Sequence, residues 1–276
     1  MPISSPQTPK GDSPEVLQRM WQSHQAIQRE NRLNLTELYH EITEAAEELR
    51  GSYVHGLLSL EQRVEGEKIH HSSLSMLLNK LTPSSRANKE IIEEIKSGSA
   101  DKLFINLSIF RSLPDVWGID QVFPVVPLEH LDKPLTRQVI LQDVTCDSDG
   151  RIDQYVDGED VESSLPVAED NTVSAALYGF FLVGAYQEIL GDNHNLFGET
   201  DTVDVELSAN GELVFSYPEK GDSISSVLES VHFSTKSLND VYQGHIAGLE
   251  MESELKEQLG DALGAAMNKT PYLSRG

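Results

Sequence analysis

The spacing of apolar residues changes once along this chain, and that change divides what the chain can fold into. From residue 14 to residue 98 the apolar positions keep the period of a helix. Val16, Leu17, Met20, Trp21 and Ile27 share one face. Leu35, Leu38, Tyr39, Ile42, Ala45 and Leu49 repeat the pattern, with glutamates between them. The stretch "SLEQR" opens with Ser59 and carries Gln62 three residues later, the spacing at which side chain and backbone cap each other reciprocally. In "TPSSRANKEIIEEIKSGS", Pro83 and Ser84 signal the start of a further helix and Gly98 signals its stop. Helices of this kind predict an antiparallel bundle, apolar inside and acidic outside.

Beyond residue 100 the period shortens to two. "KLFINLSIF" alternates, "VFPVVPL" is extended and broken by proline, and "RQVILQDVTC" reads as a strand. "RIDQYVDG" alternates and closes on Asp157-Gly158, a turn pair. "LYGFFLVGAY" is apolar throughout, which suits either a buried strand or a short helix. In "VDVELSANGELVFSY" two alternating strands flank Asn210-Gly211, the strongest short-range hairpin signal. Helical spacing returns in "GDSISSVLESV" and continues over 235–268 through Leu249, Met251, Leu255, Leu259 and Leu263. Helices and strands that segregate along the chain predict the α+β class. The expected organisation is a disordered leader or linker over 1–13, a helical bundle over 14–100, a β-barrel or sandwich-like domain over 101–235, and a helical tail over 236–276.

Charge narrows the partners. Forty-five acidic residues against 21 basic ones give a formal charge of −24. Such a chain repels phosphates and anionic lipid, so neither nucleic acid nor a membrane is an expected partner. A single cysteine forms no internal disulfide. No apolar run reaches the length of a membrane span, and "MPISSPQTPKGDSP" lacks the apolar core of a signal peptide. The expected location is the cytoplasm.

The single cysteine, Cys146, follows an apolar run of Val139, Ile140, Leu141 and Val144, and opens onto Asp147, Asp149 and Asp153. Two readings stand side by side. The thiol is a small buried hydrophobe at a strand end, or it is a reactive group whose neighbours attract a cation. A calcium loop would need acids where Thr145 and Val156 stand, so that frame fails. His70 and His71 are adjacent and cannot share a helix face. No metal site built from protein ligands alone is expected. Gly179, Gly184 and Gly191 form neither the P-loop nor the dinucleotide fingerprint. Gly184 permits close backbone approach and Tyr186 offers a hydroxyl, though both would be ordinary as packing residues.

Three stretches are more specific taken together. "NLSIFRSLPDVWGIDQVFPVVPL", "TCDSDGRIDQYVDG" and "GFFLVGAYQEILGDNHNLFGETDTVDV" closely resemble the C-terminal portion of biosynthetic arginine decarboxylase, in order and spacing, from about residue 14 to the C-terminus. The resemblance implies a lyase that uses pyridoxal 5'-phosphate and has the alanine racemase and ornithine decarboxylase fold type. In that family a (β/α)₈ barrel holds the cofactor on a lysine, and a helical insertion and a β-domain follow. This chain looks like the insertion and the β-domain. The Schiff-base lysine motif and the barrel's phosphate loop are not found in it, so the chain alone is expected to be inactive.

The implied reaction converts L-arginine to agmatine and CO₂ in polyamine biosynthesis. The site would be completed by a barrel-bearing chain or in a homo-oligomer. Carried over by motif, Cys146 would protonate the substrate carbon after CO₂ leaves. Asp147 would face the cationic tail of the substrate, with Asp149 as a second acceptor. Tyr186 and Gly184 would lie at the cofactor, and His194 and Asn195 would line the substrate pocket. Mg²⁺ is a further ion that the resemblance allows. The chemistry agrees: a guanidinium calls for planar, bidentate carboxylate recognition, and a thiol delivers a proton near neutral pH better than a hydroxyl does. The alternative is a non-catalytic, truncated paralogue that pairs with or regulates a full-length decarboxylase.

Overall fold

The computed structural model describes residues 5–29, 34–157, 160–172 and 176–273. Two compact units divide it. The first holds the chain up to Asp101 together with Thr136–Val139 and Glu162–Pro166; the second holds Lys102–Leu135, Ile140–Val161 and the chain from Val167 onward. The first four residues of the expected leader lie outside the described residues, as does Gly158 of the expected turn. Over 5–13 the chain makes a turn in which Ser13 N donates to Lys10 O at 2.9 Å.

Four helices make the first unit: α1 (Glu15–Arg29), α2 (Leu35–Val54), α3 (Leu60–Lys80) and α4 (Arg86–Ser99). The residues that share the helical period are the ones that meet. Leu17, Met20, Ile27, Ile42, Leu49, Ile69 and Leu77 are fully buried in one core. Gly66 marks the closest approach. A β-carbon there would lie 2.4 Å from Leu49 Cδ2 and 3.0 Å from Leu17 Cδ2, so a larger residue would push both leucine side chains aside. The expected capping box forms at Ser59 and Gln62: Gln62 N donates to Ser59 Oγ at 3.3 Å and Ser59 N donates to Gln62 Oε1 at 2.8 Å. The cap of α4 is Ser85, one residue beyond the expected start, and the helix runs through Gly98 to Ser99. Inside the core Ser73 Oγ donates to Ile69 O at 2.7 Å and lies 2.9 Å from His24 Nδ1. A hydroxyl has one proton, so His24 donates from Nδ1. Burial holds the His24 imidazole below its ordinary pKa.

The remaining elements are shorter. In chain order they are β1 (Asp101–Phe104), α5 (Ile109–Ser112), α6 (Pro114–Ile119), β2 (Val125–Pro127), β3 (Arg137–Gln142), β4 (Arg151–Ile152), β5 (Tyr155–Asp157), β6 (Asp160–Glu162), β7 (Leu165–Val167), β8 (Tyr178–Phe180), α7 (Gln187–Leu190), β9 (Thr202–Leu207), β10 (Leu213–Glu219), α8 (Ile224–Ser230), α9 (Thr235–Ala247) and α10 (Ser253–Ala266). One sheet has the order β1-β3-β4, with β7 also on β3; the pairs β9–β10, β2–β8 and β5–β6 stand separately. Helix and strand segregate as α+β. No barrel closes among the described residues, so of the barrel or sandwich-like alternatives the closed barrel does not form. The physical reason is local: Pro124, Pro127 and Pro134 donate no backbone hydrogen bond, and ladders this short cannot wrap.

The β3–β4 ladder is antiparallel, with Leu141 opposite Ile152. Buried Tyr155 closes it. Its hydroxyl accepts from Leu141 N at 2.8 Å and donates to Ile152 O. "LYGFFLVGAY" is neither a buried strand nor a helix. Only Tyr178–Phe180 pairs, with β2, and left-handed backbone at Leu182 and Gly184 breaks the ladder beyond it. Leu182 is 84% exposed. The expected hairpin forms, with Leu213 opposite Leu207 and Phe215 opposite Val205. Its connection runs over residues 208–212, closed by Ser208 N donating to Glu212 O at 2.9 Å, with Gly211 at φ +80°. The apolar face of this ribbon stays in water: Val205, Leu207, Leu213 and Phe215 are all exposed. Among the described residues no helix is long and apolar enough to cross a membrane.

Candidate active site

The Cys146 loop is built on a buried carboxylate. Strand β3 ends at Gln142, so the thiol does not close a strand, as the sequence reading expected; it lies four residues further on. Asp143 turns the chain. Its side chain, 1% exposed, accepts from Ile109 N at 2.9 Å, from Thr145 N at 2.8 Å and from Thr145 Oγ1 at 2.7 Å. Those three donors offset the cost of burying a charge. Asp143 N donates to Gly150 O at 2.8 Å, which closes the loop on itself. A β-carbon on Gly150 would lie 2.2 Å from Asp143 Oδ1, so glycine is required at the closure. Within the loop Asp149 N donates to Asp147 Oδ1 at 3.0 Å. Cys146 is exposed, which sets aside the buried-hydrophobe reading.

A second segment meets this loop. Helix α7 stops at Gly191, and a 3₁₀ turn follows over His194–Leu196. Asn195 and Leu196 both take positive φ, 55° and 62°. Each such residue costs roughly 1 kcal/mol in an L-chain, asparagine least among non-glycine residues. The strained turn puts two consecutive side chains on the Cys146 loop. His194 Nε2 lies 3.4 Å from Asp147 Oδ2, and Asn195 Nδ2 donates to Cys146 Sγ at 3.4 Å. The Phe110 ring packs on His194 with centroids 4.3 Å apart.

Of the seven residues singled out from sequence, Cys146, Asp147, His194 and Asn195 therefore converge. Asp149 turns towards a neighbouring cavity of about 400 Å³, which it lines with Trp117, Phe123, Arg151 and Phe180. Gly184 has φ +103° and open space where a β-carbon would be, and the Tyr186 ring is more than half exposed. An unobstructed backbone and an exposed phenol fit one edge of a planar, phosphorylated cofactor; they do not enclose one. Among the described residues, no group of three or more His, Cys, Asp or Glu is placed to hold a metal ion.

Sequence reasoning missed Asp143, Phe110 and Arg111. Asp143 was readable in principle, as an acid directly after an apolar strand with a glycine seven residues on. Arg111 was readable as a lone charge inside "LSIFRSLP", an otherwise uncharged stretch.

A bundle of four helices and an α+β unit with an exposed thiol beside a carboxylate do not name a chemistry by themselves; similarity to known proteins narrows the reading. Residues 10–96 match the arginine decarboxylase helical bundle domain. Over 272 residues, 98% of the chain, the sequence is 43% identical to the biosynthetic arginine decarboxylase of Marinobacter nauticus and covers 43% of it. It is 37% identical to that of Escherichia coli K12 over 97% of the chain, covering 41% of the relative. The crystal structure of the biosynthetic arginine decarboxylase SpeA from Campylobacter jejuni aligns with a TM-score of 0.72 at 25% identity, over 98% of this chain and 42% of that one. The chain is a relative of the biosynthetic arginine decarboxylases and spans about two fifths of the length of the curated ones it matches.

Proposed function

We propose that this chain supplies the proton-donating loop of an arginine decarboxylase that converts L-arginine to agmatine and CO₂. The α-carboxylate leaves as CO₂, and the electron pair of the broken C–C bond stays with the former α-carbon. Cys146 Sγ gives its proton to that carbon, which forms the new C–H bond. Pyridoxal 5'-phosphate, when bound, supplies the electron sink that makes the bond cleavage accessible. Tyr186 and Gly184 would contact one edge of it, and a barrel-bearing polypeptide would hold the rest. Asp147 receives the guanidinium as a planar carboxylate partner, with Asp149 beyond it. In this reading the protein works in the cytoplasm on a small cationic substrate, with no nucleic acid or membrane partner.

The observation that supports the reading most is the exposed Cys146 thiol held beside Asp147 at the tip of a loop pinned by Asp143. The test combines the chain with a barrel-bearing polypeptide of a relative, pyridoxal phosphate and arginine, and follows agmatine by mass spectrometry. Cys146→Ala is expected to lower kcat about 10²-fold, the scale of a positioned acid. Agmatine formed by Cys146→Ala at the unmodified rate would remove the thiol from the mechanism. Stable pairing without turnover would favour the regulatory paralogue.

A further inference from the structure

We infer that Arg111 is the positioning residue that sets the two halves of this site against each other. The argument starts from α5. Its first three residues each hold a different part of the cluster. Ile109 N donates to Asp143, the anchor of the Cys146 loop, at 2.9 Å. The Phe110 ring packs on His194 at a tilt of 36°, and the Phe110 carbonyl accepts from Asp192 N at 3.2 Å. Arg111 holds the second segment at both ends: Nη1 donates to Gly191 O at 2.9 Å, and Nη2 pairs with the Glu199 carboxylate. His194 and Asn195 lie between those two anchors. The fit is close at the near end, where a β-carbon on Gly191 would lie 2.6 Å from Arg111 O.

A turn with two consecutive left-handed residues persists only where its surroundings fix it. One planar guanidinium that bonds the backbone at one end of the segment and a carboxylate at the other provides that fixing. A lysine, with one compact head, serves both ends poorly. The arrangement also carries a cost: Arg111 Nε is buried without a hydrogen-bond partner among the described residues. An arginine that only decorated the surface would not be held in this way. Arg111 therefore acts through Asn195 on the Cys146 thiol and through His194 on Asp147.

The meaning of this for catalysis rests on the reading of Cys146 as the proton donor, but its test does not. Cys146 is the only cysteine in the chain, so alkylation by iodoacetamide under native conditions reports it alone. The thiol is already exposed, so the rate follows how well the thiolate is stabilised rather than access. Asn195→Ala removes the donor to sulfur and is expected to slow alkylation about two- to tenfold. Arg111→Lys is expected to slow it by a similar factor, and the double variant no further, since both act on one contact. Glu199→Gln, which keeps the guanidinium, is expected to fall between Arg111→Lys and the unmodified chain, and it decides the matter if Arg111→Lys does not fold. Circular dichroism confirms that each variant is folded. Folded variants of Arg111 and Glu199 that alkylate at the unmodified rate, or effects that multiply in the double variant, would overturn the inference. Coupled alkylation without agmatine formation after a barrel is added would support the positioning role while removing the decarboxylase reading.

Discussion

The helical unit and the unit that carries Cys146 bury their apolar residues to different degrees. Among the described residues of the helical unit, seventeen buried apolar residues form one core, from Val16 to Ile95. The large apolar residues exposed among them are Val54, Leu57, Leu60 and Val64, all around the connection between α2 and α3. The second unit leaves Leu131, Leu182, Ile189, Phe215 and Tyr217 largely in water, on several different elements. Its buried residues include Ile109, Phe110, Leu141, Ile152 and Tyr155. The first unit carries its stability within itself. The second exposes the paired apolar face of the β9–β10 ribbon, a patch of the kind that marks surfaces made for contact.

The largest effect should come from the helical core. Leu49→Ala empties a site in contact with the Gly66 face of α3, and is expected to cost about 3–5 kcal/mol. Denaturant unfolding read by Trp21 fluorescence in a Trp117→Phe background measures it. A loss under 1 kcal/mol would mean that the core is looser than its geometry. Tyr155→Phe is the corresponding change in the second unit. It leaves Leu141 N and Ile152 O without their shared partner, at about 1–3 kcal/mol. If it cost as much as Leu49→Ala, the contrast between the units would narrow.

Acid should also distinguish them. His24 is buried neutral, with its folded pKa below the ordinary value of 6.5. The unfolded chain therefore binds more protons in that window. The stability that His24 contributes is present above about pH 6.5 and is lost as the pH falls through the interval down to its lowered folded value. Trp21 stacks on His24 with ring centroids 5.1 Å apart, so its emission should follow the loosening. His24→Asn should flatten that response, and a variant that kept it unchanged would assign the loosening to another group. The smallest effect on folding belongs to the hairpin. Phe215→Ser should change stability by no more than about 0.5 kcal/mol and should lower self-association in sedimentation at rising concentration. Equal sedimentation of both proteins would show that this ribbon face takes no part in association.

The same contrast explains what the sequence made legible. The helices are local objects: a period of 3.6, a Ser59–Gln62 box and a stop near Gly98 are all written within a few residues of where they act. The hairpin was legible for the same reason, through Asn210-Gly211 and the alternation around it. The site was legible only in its letters. Asn195 reaches Cys146 across 49 positions and Ile109 reaches Asp143 across 34, and no periodicity records such pairings. "LYGFFLVGAY" was misread because hydropathy states that a segment favours cover, not that its own unit supplies it.

The closure between Asp143 and Gly150 has a consequence for how this loop can change. Its two ends are joined by a backbone hydrogen bond and by a fit that leaves no room for a β-carbon. The closure fixes the distance between the ends of the loop and leaves the length between them free. Residues 146–149 are exposed, so the tip can exchange side chains, or gain a residue into solvent, while Asp143 stays sealed. The constraint falls on the closing pair, and the loop should transplant between proteins that keep an aspartate and a glycine at its two ends.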